Sequence, residues 1–462
     1  MFQVETRSQL ASAMVAAMIF LQLLALGAVD GVPAAFFALC EIVTCAVTIA
    51  LVNTPISGRF WREAGPVMLI FLGALVWAAL PLLAATAPFL PRPPILAPDA
   101  AQLELLKLAG VGAVCLTGAL IGLSRSRLQY LILDISLAGL AYTLLALWVG
   151  QASPMAVWGQ SKGAHAFRFT GTLLNANAAG CVFGMIGLVS LGLLQSLLKR
   201  TSLRDAELSG LLRLALVGCA VIAAFGACVL TQSRTGLALA AIFGVVVVWS
   251  EVLRRPRRGA ANVGGRSLMA AAAAGLLLLG LGLGASQFSS RWGSLLADAQ
   301  VRGEAYMQYF GAIGRSPWFG YGLGGFRALH ESILTPSLAT AMWDFGAAHS
   351  AVTQAALEGG LPFILMLVVA AGMIVKRISG GDRRRTGSAM VTGVLAAAGL
   401  AFAFSFVDIA LNVPAIAAFC ALLLGLAWGD RFARDAPRPV RVGGRPELVR
   451  KTRVSSPDWT RP

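Results

Sequence analysis

The chain of 462 residues is rich in apolar residues and poor in charge: 57% are hydrophobic, 13% are charged, and the mean hydropathy is +0.76. A typical soluble domain has about 25% charged and about 45–50% apolar residues, so this composition excludes an ordinary soluble protein. It indicates a membrane protein, because runs of roughly 20 apolar residues, enough to cross a bilayer, fill most of the sequence.

Twelve apolar runs predict an all-α, polytopic membrane protein with about twelve transmembrane helices. They cover residues 10–29, 33–53, 65–87, 104–123, 129–149, 176–197, 211–230, 235–252, 267–285, 361–375, 388–407 and 412–429. The first run is long for the apolar core of a cleaved signal peptide, so we interpret it as the first helix. The seven cysteines lie inside these runs without a CxxC pair, which favours small buried apolar residues over disulfide partners or metal ligands.

The distribution of lysine and arginine predicts the orientation of the chain. With the N-terminus in the cytoplasm, 27 of the 37 lysines and arginines fall in cytoplasmic segments and eight fall on the far side. This asymmetry follows the positive-inside rule and predicts that both termini are cytoplasmic. The net charge of +16 is then a signal of topology and of contact with anionic lipid, and it does not indicate a nucleic-acid partner.

Two predicted far-side loops are long, at residues 150–175 and 286–360, and the second joins the ninth and tenth helices. Loops of this length are usually functional or disordered, and the many aromatic residues of the second predict an ordered lid at the membrane interface. The segment 431–462 is basic and proline-rich with few large apolar residues, so we predict a disordered cytoplasmic tail after a transmembrane domain that spans residues 1–430.

The polar residues that remain lie mostly on the far side. All three histidines and eight cations are there, on the side where cations are disfavoured, and anion binding is the simplest explanation. Three segments contain most of them: Arg168-Phe-Thr-Gly-Thr-Leu-Leu-Asn-Ala-Asn-Ala-Ala-Gly180, the turn Thr231-Gln-Ser-Arg-Thr-Gly236, and the second long loop with Arg302, the glycine-rich stretch 314–326 and His349-Ser350.

Taken together, these segments resemble the O-antigen ligase and polymerase superfamily of bacterial envelope glycosyltransferases. The Ser-Arg-Thr-Gly turn at Arg234 is similar to the second conserved segment of that family. Arg302, followed by Pro317-Trp-Phe-Gly-Tyr-Gly-Leu-Gly-Gly-Phe326, is similar to its R…PxxGxGxxxF stretch, and His349-Ser350 with a glycine ten residues after the serine is similar to the ligase motif H-[N/S/Q]-x9-G. The resemblance covers about residues 168–362, and the twelve-helix layout extends it to nearly the whole chain.

The resemblance implies a GT-C-like membrane fold and a reaction at the periplasmic face of the bacterial inner membrane. A glycan would move from undecaprenyl diphosphate to an acceptor hydroxyl by a metal-independent, inverting transfer that needs no cofactor. Arg234 and Arg302 would hold the diphosphate, because a guanidinium group matches phosphate oxygens in pairs. His349 would be the base or orient the acceptor. The implied substrate-binding residues are Arg168, Asn175, Asn177, Ser233, Arg315 and Ser350.

The acceptor stays open at this point. An O-antigen ligase uses the lipid A core, and the His-Ser motif favours it, whereas a polymerase of O-antigen or exopolysaccharide uses another repeat unit. A flippase or transporter of lipid-linked oligosaccharides is a less favoured alternative, because no inverted repeat is visible. We interpret His165 and His330 as structural. Glu41 and Asp134 lie within membrane helices, where acids are often functional, and their role is also left open.

Overall fold

The computed structural model describes residues 2–29, 31–51, 57–86, 94–200, 207–253, 292–336, 339, 342–343, 345–380, 388–435, 441–442 and 445–446. The predicted ninth run at 267–285 and most of the predicted tail lie outside the described residues. The described part contains thirteen α-helices: α1 (Phe2–Leu24), α2 (Gly31–Leu51), α3 (Ser57–Thr86), α4 (Pro98–Gly122), α5 (Arg125–Ala152), α6 (Ala176–Arg200), α7 (Leu208–Leu230), α8 (Arg234–Leu253), α9 (Trp292–Arg315), α10 (Phe326–Ile333), α11 (Ala351–Ser379), α12 (Ala389–Phe404) and α13 (Pro414–Asp435). Two-residue strands pair Ala156–Val157 with Gln160–Ser161 and Arg441–Val442 with Arg445–Pro446.

The helices confirm the prediction of an all-α, polytopic membrane protein. Each of the other eleven apolar runs coincides with one described helix. By length and composition, eight of these helices can cross a membrane, and shorter apolar helical stretches lie at 11–24, 234–250 and 389–404. Helices are the expected solution here, because a chain in lipid must satisfy its backbone hydrogen bonds within each segment.

The helices pack closely within the bundle. Helices α4 and α13 approach until a Cβ atom at Gly425 would lie 2.0 Å from the carbonyl oxygen of Cys115, so only glycine fits at this crossing. The intramembrane acid Glu41 is 2% exposed, and its Oε1 accepts a hydrogen bond of 3.1 Å from Gln22 Nε2 of α1. All seven cysteines are free thiols within helices.

The loops lie at two opposite ends of the bundle, as an alternating up-and-down path requires. At one end, Arg377 forms ion pairs of 2.9 Å with Glu63 and with Asp435, and Arg431 lies 3.2 Å from Asp435. We call this the tail end. Helix α13 therefore continues to Asp435, and residues 431–435 belong to the packed bundle and not to the predicted tail.

The other end carries the loops 25–29, 153–175, 231–233 and 405–413, together with a lid that we define as residues 292–350. We call it the lid end. The lid is mostly helical, since it contains α9 and α10. Helix α11 begins at Ala351, ten residues before the predicted start at 361, and it is kinked at Gly360 (φ 77°, ψ 175°). Hydropathy missed these ten residues because Gln354 and Glu358 lower the apolar character of the segment.

The kink in α11 is where the lid docks onto the membrane helices. Because the helix is interrupted there, the carbonyl oxygens of Leu357 and Glu358 are available, and they accept hydrogen bonds from the backbone of Tyr321 (2.8 Å) and Gly322 (3.0 Å). In return, the N–H of Leu361 donates to the lid at 2.8 Å. The lid also touches α3, where the ring of Phe319 stacks on Trp77 with centroids 4.7 Å apart.

Candidate active site

Arg168 joins three segments at the lid end. Its guanidinium group donates hydrogen bonds to the carbonyl oxygen of Thr231 at 3.0 Å and to Oδ1 of Asn177 at 3.3 Å. It also lies 3.3 Å from Nδ1 of His165. The loop 153–175, the first turn of α6 and the turn before α8 are thus held together by one side chain, and the turn with Arg234 is next to Arg168.

Asp408 extends this arrangement towards His349. Its Oδ2 accepts a hydrogen bond of 2.8 Å from Nδ2 of Asn177, and its Oδ1 accepts one of 2.7 Å from the backbone N–H of Ile409. Nδ1 of His349 lies 3.9 Å from Oδ1 of the same carboxylate. Arg168, Asn177, Asp408 and His349 therefore form a continuous set of polar side chains, which we call the polar cluster.

His349 is held in an unusual backbone conformation. Its φ of 52° lies in the left-handed region, its carbonyl oxygen accepts from the Tyr306 hydroxyl at 3.4 Å, and its ring packs 4.7 Å from that of Phe345. The side chain is 23% exposed, so its ring can be reached from outside. Such conformations cost about 1–3 kcal/mol each and persist where the surroundings enforce them, often at active sites.

Backbone strain of this kind is concentrated at the lid end. In the described part, six residues other than glycine have a positive φ, and all six lie in lid-end loops: Leu26, Ala28, Trp158, Phe167, Gln232 and His349. Phe167 precedes Arg168, and Gln232 lies two residues before Arg234. Strain therefore accompanies three of the residues that the sequence analysis selected.

The two other predicted catalytic residues are placed less completely. Arg234 is the first residue of α8 and is exposed at the lid end. The backbone at position 302 lies in α9, one helical turn before Tyr306, whereas the side chain of Arg302 is outside the described part of the structure. The structure therefore puts Arg168 in contact with Asn177 and connects Asn177 to His349 through Asp408, while the convergence of Arg234 and Arg302 stays a prediction.

Three predicted substrate-binding residues cap helices. Oδ1 of Asn175 accepts from the backbone N–H groups of residues 177 and 178 at the start of α6 (2.7 and 3.1 Å). Oγ of Ser233 accepts from the N–H of residue 236 in α8, and Oγ of Ser350 accepts from the N–H of residue 353 in α11. Capping satisfies backbone donors that a helix leaves unpaired, which explains these residue types locally. A role in substrate binding stays a prediction for each of them.

Arg315 lies apart from the polar cluster. It is the exposed last residue of α9 and lines an open groove of about 510 Å³ on the lid, together with Met307, Gln308, Gly311, Ile333 and Thr335. His330 is buried in the lid, where Nδ1 lies 3.0 Å from the Tyr309 hydroxyl and Nε2 lies 2.8 Å from a backbone carbonyl oxygen. Both ring nitrogens of His330 thus have polar contacts within the lid, so packing of the lid explains a histidine at this position.

Two further basic side chains, His165 and Lys162, lie beside the polar cluster. Burial, and then the neighbouring charge of Arg168, lower the pKa of His165, while Asp408 opposes this shift. Burial also lowers the pKa of Lys162, whose Nζ donates to the carbonyl oxygens of Pro154 (2.7 Å) and Arg168 (3.1 Å). Within the described residues, no group of three or more His, Cys, Asp or Glu side chains is arranged to hold a metal ion.

Asp408 is the residue that the sequence analysis missed. It lies in the short loop between α12 and α13, which the predicted topology puts on the far side, but only cations and histidines were compared there. An acid in a short loop on the side of the candidate site is a usable signal. Its contact with Asn177 spans 231 residues of sequence and follows only from the fold.

The comparison with known proteins bears on part of this arrangement. No curated protein matches the chain in a sequence search. The family model described as O-Antigen ligase matches residues 219–368, which include the turn at Arg234, position 302, the glycine-rich lid turn and His349. Arg168, Asn177 and Asp408 lie outside the matched residues. This match supports the resemblance of residues 219–368 to the O-antigen ligase and polymerase superfamily.

Proposed function

We propose that the chain transfers a glycan from undecaprenyl diphosphate to an acceptor hydroxyl at the periplasmic face of the inner membrane, as an O-antigen ligase that joins the glycan to the lipid A core. The family supports ligase or polymerase chemistry in general. The observation that carries the proposed proton transfer is the 3.9 Å approach of His349 to Asp408 in a cluster that also contains Arg168, and the His349-Ser350 motif is the reason for preferring a ligase to a polymerase.

In this proposal His349 takes the proton of the acceptor. The acceptor oxygen attacks the anomeric carbon, the bond from that carbon to the diphosphate oxygen breaks, and the diphosphate leaves with the electron pair. The proton moves to Nε2 of His349, and the carboxylate of Asp408 near Nδ1 stabilises the imidazolium that forms. The separation of 3.9 Å exceeds a hydrogen bond, and such distances often shorten when substrate binds. Direct attack inverts the anomeric configuration and needs no metal.

The leaving diphosphate needs positive charge that is already in place. Arg234 is exposed at the start of α8, and its turn is tied to Arg168 through the carbonyl oxygen of Thr231. Helical periodicity puts position 302 on the same face of α9 as Tyr306, whose hydroxyl contacts the backbone of His349. We therefore assign Arg234 and Arg302 to the diphosphate, and Arg168 to the support of this site. Removal of a single preorganised hydrogen-bond donor from a site of developing negative charge typically costs about 10²- to 10³-fold in kcat.

The test is a gene deletion that is complemented with wild-type chain, Arg234→Ala and His349→Ala and scored by lipopolysaccharide gel and by surface polysaccharide. Loss of O-antigen bands with accumulation of lipid-linked polymer supports the ligase. Single repeats on the core, or loss of an exopolysaccharide with an intact core ladder, identify a polymerase. Arg213→Ala, an exposed arginine in the first turns of α7, is the control and should complement fully. Full complementation by both site variants would contradict the proposed mechanism and favour a transporter.

A further inference from the structure

The side-chain amide of Gln354 connects the segments that carry His349 and Asp408. Its Oε1 accepts a hydrogen bond of 3.2 Å from the backbone N–H of Ala348, the residue before His349. The same oxygen accepts from Nδ2 of Asn412, in the loop that carries Asp408. One oxygen atom in the first turn of α11 therefore fixes both segments relative to each other.

Glu358 determines which way this amide points. Nε2 of Gln354 donates a hydrogen bond of 3.1 Å to Oε1 of Glu358, one helical turn later. Glu358 is buried, and its backbone carbonyl oxygen accepts a hydrogen bond of 3.0 Å from the N–H of Gly322 in the lid turn. An amide has its donors on nitrogen and its acceptor on oxygen, so donation from Nε2 to Glu358 leaves Oε1 of Gln354 facing Ala348.

The segment that this oxygen holds is the strained one. His349 has a φ of 52°. Ala348, whose N–H donates to Gln354, is 3% exposed, so water cannot readily replace this hydrogen bond if the Gln354 amide is removed. The next residues are fixed separately, because Ser350 caps α11 and the N–H of Ala351 donates to the carbonyl oxygen of Ser405 at 2.8 Å. Gln354 is thus the side chain that constrains the residue on the N-terminal side of His349.

We propose that Gln354 is a positioning residue, whose amide keeps His349 in its strained backbone conformation and at its distance from Asp408, with Glu358 fixing the orientation of that amide. This inference rests on the proposed function, in which His349 takes the proton of the acceptor. Gln354 does not touch the substrate. Its loss is therefore expected to lower kcat and to leave donor binding unchanged.

The experiment exchanges the two side chains in the full-length chain, purified in lipid nanodiscs. Gln354→Glu places two carboxylates against each other and removes the donor to Glu358. In the double variant Gln354→Glu/Glu358→Gln, the side chain at 358 donates and the side chain at 354 accepts, the reverse of the wild type. The single variant Glu358→Gln is the reference to which the double variant is compared. Gln195→Ala is the matched control, since this buried glutamine lies 18 residues after Asn177 on α6, about 27 Å away along the helix axis.

Two quantities are measured on each variant: kcat for glycan transfer, and the Kd for undecaprenyl diphosphate alone. A displacement of about 1 Å at a reacting group costs roughly 100-fold, so we expect Gln354→Glu to lose about 30- to 100-fold in kcat with Kd within about two-fold. The double variant should recover to within about three-fold of Glu358→Gln, because the pair is coupled. Gln195→Ala should keep both values.

A third measurement separates this inference from the proposed function. The chain has three histidines, so the ¹⁵N signals of the His349 imidazole can be assigned with two single substitutions. We expect these signals to shift or broaden in Gln354→Glu and to return in the double variant, even if the wild-type chain transfers no glycan. In that case the function fails and the positioning role stands.

The inference is overturned if folded Gln354→Glu keeps kcat within about three-fold of wild type with unchanged imidazole signals, or if the double variant recovers neither. Should Gln354→Glu not fold, Gln354→Met replaces it, because methionine has a similar length without the amide. The same loss of kcat and the same change in the His349 signals are then expected, and wild-type values in both would overturn the proposal.

Discussion

Replacement of Asp408 by asparagine tests the electrostatic part of the site without a large change of shape. Asparagine has one side-chain oxygen, so it can accept from Ile409 N–H or from Asn177 but not from both, and the substitution removes the negative charge together with one hydrogen bond. At 3.9 Å, two unit charges interact by about 4 kcal/mol at an effective dielectric constant of about 20. Since the His349 side chain is 23% exposed, we take about half of this value, or about 2 kcal/mol.

If the imidazolium forms in the transition state, about 2 kcal/mol corresponds to a fall of roughly 30-fold in kcat. The assay is glycan transfer by purified chain at pH 7, with the Kd for undecaprenyl diphosphate measured in parallel and expected to be unchanged. Asp435→Asn is the control, because this aspartate forms ion pairs at the tail end and should leave kcat within about two-fold. A kcat of Asp408→Asn within about three-fold of wild type, with His349→Ala inactive, would refute the role given to this charge.

Three further predictions follow from the contacts at the lid end. Arg168→Lys should weaken undecaprenyl diphosphate binding about ten-fold in a direct binding assay, since an ammonium group cannot reproduce the forked contacts; an unchanged Kd would argue against its supporting role. The pKa of His165 is lowered in the folded chain, so the free energy of unfolding should decrease as the pH falls from about 6.5 to the lower pKa of the folded state. His165→Asn should therefore flatten this part of a plot of thermal midpoint against pH. Equal plots for the variant and the wild type would contradict this prediction. Gly360→Ala places a Cβ 2.1 Å from the carbonyl oxygen of Trp318 at a φ of 77°. This change should lower the free energy of unfolding by at least about 2 kcal/mol and speed hydrogen exchange in residues 317–325. Gly372→Ala, which has open space around it, should change neither quantity.

Hydropathy predicted eleven of the thirteen described helices, because a membrane span must be both apolar and internally hydrogen-bonded, and it did not predict α9 and α10 of the lid. It failed at the start of α11, where Gln354 and Glu358 interrupt the apolar pattern although the backbone is helical. The same two residues take part in the contacts between the lid and the bundle. The error in the predicted start of α11 therefore coincides with a segment whose polar side chains form contacts between the lid and the bundle.

The candidate site was predictable in part. Arg168, Asn177 and His349 could be selected because polar and cationic residues on the far side of a membrane protein need a reason to be there. Their connection through Asp408 could not, since it depends on loops that are far apart in sequence and meet only in the folded bundle. Asn175, Ser233 and Ser350 show the opposite case, because helix capping already explains why those residue types precede their helices.

The most direct test of the central claim is a reconstituted transfer reaction with purified chain, a labelled glycan on undecaprenyl diphosphate and lipid A core prepared from the deletion strain. We expect labelled glycan to appear on the core with one undecaprenyl diphosphate released per transfer, and His349→Ala to abolish both. Transfer that is unaffected by His349→Ala, or no transfer by a wild-type chain that binds the donor, would contradict it.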